Sequence, residues 1–214
     1  GRARTGCGKT LAFVLPVVEQ FIRTSKPGAR EYGRSPQCVV LAPTRELAKQ
    51  VHSDFEYVGA AANLATLTLY GGTPYDPQTS ALRRGVDIVV GTPGRIKDHL
   101  QRGTLNLSQL KYRILDEADE MLNMGFVDDV ETILKAVDEA SQCQTLLFSA
   151  TLPSWVKEVT TRFLKKDHTT IDNIGESTMK ANAAVKHMVL PCHWTQVNTI
   201  VEDLVRCYGG GKTG

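Results

Sequence analysis

The chain has 214 residues, 42% hydrophobic and 22% charged, the proportions of a folded globular protein and not of a disordered or fibrous one. Its 25 Lys and Arg against 23 Asp and Glu leave a formal charge of +2. That excludes a strongly basic field, so any nucleic-acid partner must be held by local placement of groups. No apolar run is long enough to span a bilayer, and Cys7, Cys38, Cys143, Cys192 and Cys207 show neither Cys-x-x-Cys pairing nor zinc-like spacing, which fits free thiols in a reducing compartment.

In chain order, Gly6-Cys7-Gly8-Lys9-Thr10 leads into the apolar segment 11–18, predicted as a helix that Pro16 kinks or divides. A polar loop over 25–36 follows, then a buried strand at Cys38-Val39-Val40-Leu41-Ala42. Pro43-Thr44 opens a helix carrying Leu47, Ala48, Val51, Phe55 and Val58 at helical spacing. Strands are predicted at 67–70, ending in Gly71-Gly72, and at 86–90, ending in Gly91-Thr92-Pro93-Gly94. Tyr112-Arg113-Ile114-Leu115 reads as a further strand, running into Asp116-Glu117-Ala118-Asp119; Phe126, Val130, Ile133, Leu134 and Val137 then mark an amphipathic helix. Thr145-Leu146-Leu147-Phe148 is a strand ending at Ser149-Ala150-Thr151, 153–164 is helical, and 169–171 is the last strand expected before the pattern breaks. Asn106-Leu107-Ser108 matches a glycosylation acceptor, a match too short to carry weight.

Strands alternating with helices imply an α/β fold with a mostly parallel sheet flanked by helices. Polar or Gly-containing clusters recur directly after the strands: Pro43-Thr44-Arg45, Gly71-Gly72, Thr92-Pro93-Gly94-Arg95, Asp116-Glu117 and Ser149-Ala150-Thr151. In a parallel sheet these ends share one edge, the usual place for ligands, although turn chemistry alone also puts Gly and Pro there. The organisation expected is a domain over 1–172, a small polar linker over 173–184, and the truncated start of a second domain over 185–214, with a strand at 185–190 and a helix at 196–208. The start lacks an initiator Met and signal-peptide character, and no strand is predicted before the Gly-rich loop, so the chain reads as a fragment cut on its N-terminal side.

Gly-x-Gly-Lys-Thr before a helix is a phosphate cradle. Gly6 and Gly8 let backbone N–H groups turn to phosphate oxygens, Lys9 reaches the β- and γ-phosphates, the Thr10 hydroxyl ligates Mg²⁺, and the helix adds its positive end. A Gly turn beside a surface Lys is the bland alternative, as an acidic loop is for Asp116-Glu117. Taken together the two signals require the same ligand: Asp116 would hold Mg²⁺ through water, and Glu117 would orient and deprotonate the attacking water. Gly211-Lys212-Thr213 repeats the Gly-Lys-Thr letters after a predicted helix, with Arg206 where the first Gly belongs, and is read as a loop.

Ala3 to Thr10, Pro43-Thr44-Arg45-Glu46-Leu47, Gly71-Gly72, Thr92-Pro93-Gly94-Arg95, Asp116-Glu117-Ala118-Asp119 and Ser149-Ala150-Thr151 together resemble the ordered motif set of the DEAD-box ATP-dependent RNA helicases. The resemblance covers the chain to about residue 172 and, more weakly, the second domain. It implies RecA-like P-loop domains closing on ATP, Mg²⁺ and single-stranded RNA held by its backbone. Carried over by motif, Ala3, Arg4, Thr5, Gly6, Cys7, Gly8, Lys9 and Thr10 bind ATP; Thr10 and Asp116 serve the metal; and Lys9, Asp116 and Glu117 are catalytic. Pro43, Thr44, Arg45, Gly72, Thr92, Gly94 and Arg95 contact RNA, while Asp119, Ser149, Ala150 and Thr151 couple nucleotide state to strand separation. Phrases such as Gly71-Gly72-Thr73-Pro74-Tyr75, Gly94-Arg95-Ile96-Lys97-Asp98-His99 and Cys192-His193-Trp194-Thr195-Gln196 are similar to the nucleolar RNA helicase II (Gu) branch and its plant relatives. That branch implies a nucleolar place in ribosome biogenesis, with a plastid as the alternative. The family's adenine-reading Gln motif and its arginine finger lie outside the sequence, so little helicase activity is expected of this stretch alone. An ATP-dependent RNA clamp and a DNA-directed P-loop motor are the rival functions. His52, His99, His168, His187 and His193 are dispersed and read as surface or ordinary core residues.

Overall fold

Two four-residue runs, Cys38–Leu41 (β1) and Ile88–Gly91 (β3), are buried along their whole length, as central strands of a sheet covered on both faces must be. The computed structural model describes residues 1–3, 8–24, 31–137, 143–174 and 189–208. With Thr66–Leu69 (β2), Tyr112–Leu115 (β4) and Gln144–Leu147 (β5) they form a five-stranded, wholly parallel sheet in the order β2-β3-β1-β4-β5. The chain divides into two compact units, Gly1–Gly175 and Glu176–Gly214.

Side chains of period two divide the interior into two cores. On one face Cys38, Val40, Ile88, Val90 and Ile114 pack against Lys9–Thr24 (α1) and Arg45–Gly59 (α2), through Phe13, Val17, Phe21, Val51 and Phe55. On the other, Val39, Leu41, Val89 and Leu115 meet Tyr75–Arg84 (α3), Pro93–Gln101 (α4), Ala118–Asn123 (α5), Val127–Lys135 (α6) and Ser154–Phe163 (α7). The register sets Leu69, Gly91, Leu41, Leu115 and Leu147 level with one another. Every segment that follows a strand therefore leaves the sheet at the same height, on one edge. Gly91 is required there: a Cβ at this position would run into the Leu69 carbonyl oxygen of the neighbouring strand.

Several expectations need correction. α1 runs unbroken through Pro16, which lies on the exposed face. α3 escaped the sequence reading because only Gln78 and Leu82 of it are buried, too few to show a helical period, and because Pro74 and Pro77 suggest a turn. The helix marked by Phe126 to Val137 forms as α6, but a short helix not expected, α5, precedes it, the two parted at Gly125 with its φ of 78°. No strand forms at 169–171; Asp172 makes only an isolated parallel bridge to Arg2, which bridges Ser149 in the same way. The segment before the Gly-rich loop, expected to be strandless, thus runs between two neighbours, with Ala3 N–H donating to the Ser149 carbonyl at 3.2 Å.

In the second unit Val197–Tyr208 (α8) follows a capped turn at Trp194–Gln196 and leaves Val197, Val201, Leu204, Val205 and Tyr208 exposed. Most of the strand expected at 185–190, and the Gly-Lys-Thr repeat at 211–213, lie outside the described residues; Val189 and Leu190 carry no strand.

Candidate functional site

The sheet order sorts the edge into two groups. The ends of β2, β3 and β1 carry the residues expected at RNA; those of β4 and β5, with the start of α1, carry the residues expected at nucleotide and at the coupling step.

On the nucleotide side, Gly8 has a φ of 83°, which a side chain disfavours, and open space where a Cβ would stand. Lys9 and Thr10 are the first residues of α1, a 16-residue helix with no acidic residue in its first turn to offset its positive end. The Lys9 ammonium donates to the Ala3 carbonyl at 3.2 Å. Arg4, Thr5, Gly6 and Cys7 lie outside the described residues.

Asp116 leaves the end of β4 and is only 2% exposed. Burial pushes its carboxyl up to about 6; the Lys9 charge pulls the other way, Glu117 adds to the rise, and the Glu117 N–H, donating to Oδ1 at 3.0 Å, opposes it. Lys9 and Asp116 therefore act on each other. Glu117 itself sits at φ 53°, ψ 52°, a left-handed backbone that costs a non-glycine residue roughly 1–2 kcal/mol. These features fit a magnesium-bound triphosphate: a positive helix end, a glycine turn, a lysine, and a buried carboxylate whose charge wants a cation. Among the described residues no group of three His, Cys, Asp or Glu side chains is placed to hold a metal ion.

Beside it, Asp119 ties β4 to β5. Its Oδ2 accepts from the Thr151 N–H at 2.9 Å and the Thr151 hydroxyl at 2.8 Å; its own N–H donates to Ser149 Oγ at 3.3 Å. The fully buried Ser149 hydroxyl in turn donates to the Thr151 carbonyl at 2.7 Å. Burial raises the Asp119 carboxyl, but hydrogen bonds from the Thr151 hydroxyl and from the Thr151 and Ala150 N–H groups outweigh it and hold the group below its ordinary value. Ala150 accepts at its carbonyl from Arg2 Nε at 3.4 Å.

On the other side, Pro43 is buried and Thr44 caps α2, its hydroxyl accepting from the Leu47 N–H at 3.2 Å. Arg45 is exposed, and its guanidinium lies 3.2 Å from where a Cβ on Gly72 would stand, so these two candidates adjoin. Thr92 is the N-cap residue of α4, with Pro93 in the first turn and Gly94 next. Arg95, also expected at RNA, is 8% exposed; its Nη1 donates to the Thr73 carbonyl at 3.0 Å and Gln78 Oε1 at 2.9 Å, and its guanidinium stacks on the Tyr75 ring at 4.0 Å. These contacts join the loop after β2 to α4. Gln78, with no helix expected around it, and His99, read as a surface or ordinary core residue, complete that junction; neither carries a signal that separates it from filler in the sequence.

The DEAD/DEAH box helicase family matches residues 1–159. DEAD-box ATP-dependent RNA helicase 7 of Oryza sativa subsp. japonica is 55% identical over the whole chain, and nucleolar RNA helicase 2 of Rattus norvegicus 48% identical over 99% of it. The chain spans 31% and 27% of those relatives. Among solved structures, the yeast DEAD-box splicing factor Prp28 superposes with a TM-score of 0.70 at 33% identity, over 77% of this chain and 39% of that one. With its RecA-like parallel sheet and its family match across most of its length, the chain belongs to the DEAD/DEAH box helicase family.

Proposed function

We propose that this chain is the nucleotide-binding part of an ATP-dependent RNA helicase, coupling ATP hydrolysis to RNA binding and local duplex separation. The observation that carries the reading is Asp116: buried to 2%, subject to the Lys9 charge, and on the same sheet edge as Thr44, Arg45, Gly72 and Gly94. Lys9 neutralises the β- and γ-phosphates, and the positive end of α1 adds to it. Thr10 and Asp116 would hold Mg²⁺, and the ion would supply charge neutralisation at the phosphates. Glu117 orients the attacking water and takes its proton. Pro43, Thr44, Arg45, Gly72, Thr92, Gly94 and Arg95 meet the RNA sugar-phosphate backbone through amides, a hydroxyl and helix N-termini, as suits a chain of formal charge +2. Asp119, Ser149, Ala150 and Thr151 report nucleotide state to the rest of the edge, and residues 185–214 begin a second RecA-like domain. Likeness to a nucleolar helicase supports a nucleolar place in ribosome biogenesis.

In the full-length protein, Glu117→Gln is expected to cut ATP turnover about a thousandfold while ATP and RNA binding persist. Turnover that survives the change removes Glu117 as the base. Matched single-stranded RNA and DNA, compared as stimulators of ATP turnover, separate this reading from a DNA motor: stimulation by DNA alone overturns it.

A further inference from the structure

A fully buried histidine is an expensive way to fill a helix face. His99 on α4 is 0% exposed, a position where leucine would fill the same space without desolvating two ring nitrogens. Both nitrogens are engaged: Nε2 lies 2.9 Å from Gln78 Oε1 and Nδ1 lies 2.8 Å from the Thr104 hydroxyl.

Hydrogen-bond chemistry fixes the direction of the bond at Nε2. Gln78 Nε2 faces the Tyr70 carbonyl at 3.4 Å, which only accepts, and Thr73 Oγ1 at 2.8 Å, whose own proton goes to the Tyr70 carbonyl at 3.0 Å. Its Oε1 faces Arg95, which only donates. The amide orientation is therefore decided by its surroundings. With Oε1 as acceptor, His99 carries a proton on Nε2, while the single Thr104 hydroxyl proton faces both Nδ1 and, at 3.1 Å, the His99 carbonyl. Burial, with Arg95 and Arg102 nearby, favours this neutral ring, against the opposing pull of Asp98. Gln78 thus uses both ends of its amide, one toward the loop after β2 and the other toward α4.

We propose that His99 is a positioning residue for RNA binding. By donating to Gln78 it locks the amide that joins the Gly71-Gly72 loop to the N-terminal turn of α4, and so sets the spacing at which the two elements grip the RNA backbone. This rests on the reading of that edge as the RNA site. A satisfied buried network fixes one geometry where an apolar contact tolerates several.

The test uses the full-length protein, its ATP turnover titrated with single-stranded oligouridine. His99→Leu is expected to raise the RNA concentration for half-maximal stimulation about fivefold to tenfold with the KM for ATP unchanged, the loss of one to two buried hydrogen bonds. His99→Gln, which keeps a donor toward Gln78, returns the value to within about twofold of wild type. In a Gln78→Leu background the His99→Leu change adds nothing further. Should His99→Leu fail to fold, Thr104→Val, which strips the partner from Nδ1, decides, with an expected rise of about twofold to threefold. Unchanged RNA dependence in the folded variants, or losses in His99→Gln equal to those in His99→Leu, overturns the proposal. A wild-type protein that RNA does not stimulate sinks the functional reading itself, and is seen before any variant is made.

Discussion

The two halves of the sheet edge handle buried polar groups in opposite ways. Under the ends of β2 and β3, Gln78, Arg95 and His99 are all less than 9% exposed, and each finds partners within the protein. At the end of β4, Asp116 is as deeply buried, yet its carboxyl is pushed up to about 6 and the next residue has a left-handed backbone. One half is complete by itself and holds a shape. The other carries cost that a cation and a phosphate chain can repay, which is where binding energy can do chemical work.

The difference can be attacked from either side. The largest effect is expected at Gly91, where a Cβ would meet the Leu69 carbonyl oxygen. Gly91→Ala forces β2 and β3 apart and costs about 3 kcal/mol or more, read as a lowered urea midpoint. Next comes Asp116→Asn, which is expected to stabilise the nucleotide-free protein. The folded-state pKa is raised, so the stability this carboxyl contributes is present below its ordinary value of 3.8 and is lost as pH rises through about 6. The variant escapes that loss: at pH 7 it should exceed wild type by about 2–3 kcal/mol, and the gap should close near pH 4. Unfolding curves across that range, without nucleotide, check the sign; an advantage that persists at low pH contradicts the burial argument.

Arg113 offers a comparison outside the edge. Its guanidinium donates to the Leu134 carbonyl at 2.8 Å, the Phe163 carbonyl at 3.1 Å and Thr145 Oγ1 at 2.6 Å, fastening the ends of α6 and α7 to β4 and β5. Arg113→Met should cost about 2 kcal/mol of stability and leave the affinity for ATP unchanged. The smallest effect concerns strain. At most positions Ala is more stabilising than Gly, but at Glu117 the order should reverse, with Glu117→Gly about 1 kcal/mol more stable than Glu117→Ala. Equal stability of the two would mean that the left-handed turn stores nothing.

What could be read from the letters depended on how local the cause was. The five strands of the sheet were visible because short apolar runs bounded by Gly, Pro and acidic residues have few other ways to fold. α3 was not, since its burial rests on two residues and one of them is a glutamine. Arg95 shows the same limit at the site: its motif marks it for RNA, but nothing adjacent in the chain announces that its Nη1 donates to Thr73 and Gln78 across the loop.

By itself the sequence determined the alternation of strands and helices, the glycine before α1, and the acidic pair at the end of β4, because each follows from residues adjacent in the chain. Only the tertiary structure decided which strand lies beside which, and hence that nucleotide and RNA candidates occupy separate halves of one edge. Strand order depends on crossovers that the hydrophobic pattern does not encode. The same holds for Asp119 against Thr151 and His99 against Gln78, pairs brought together from 32 and 21 residues apart, whose partners exist only once the sheet has closed.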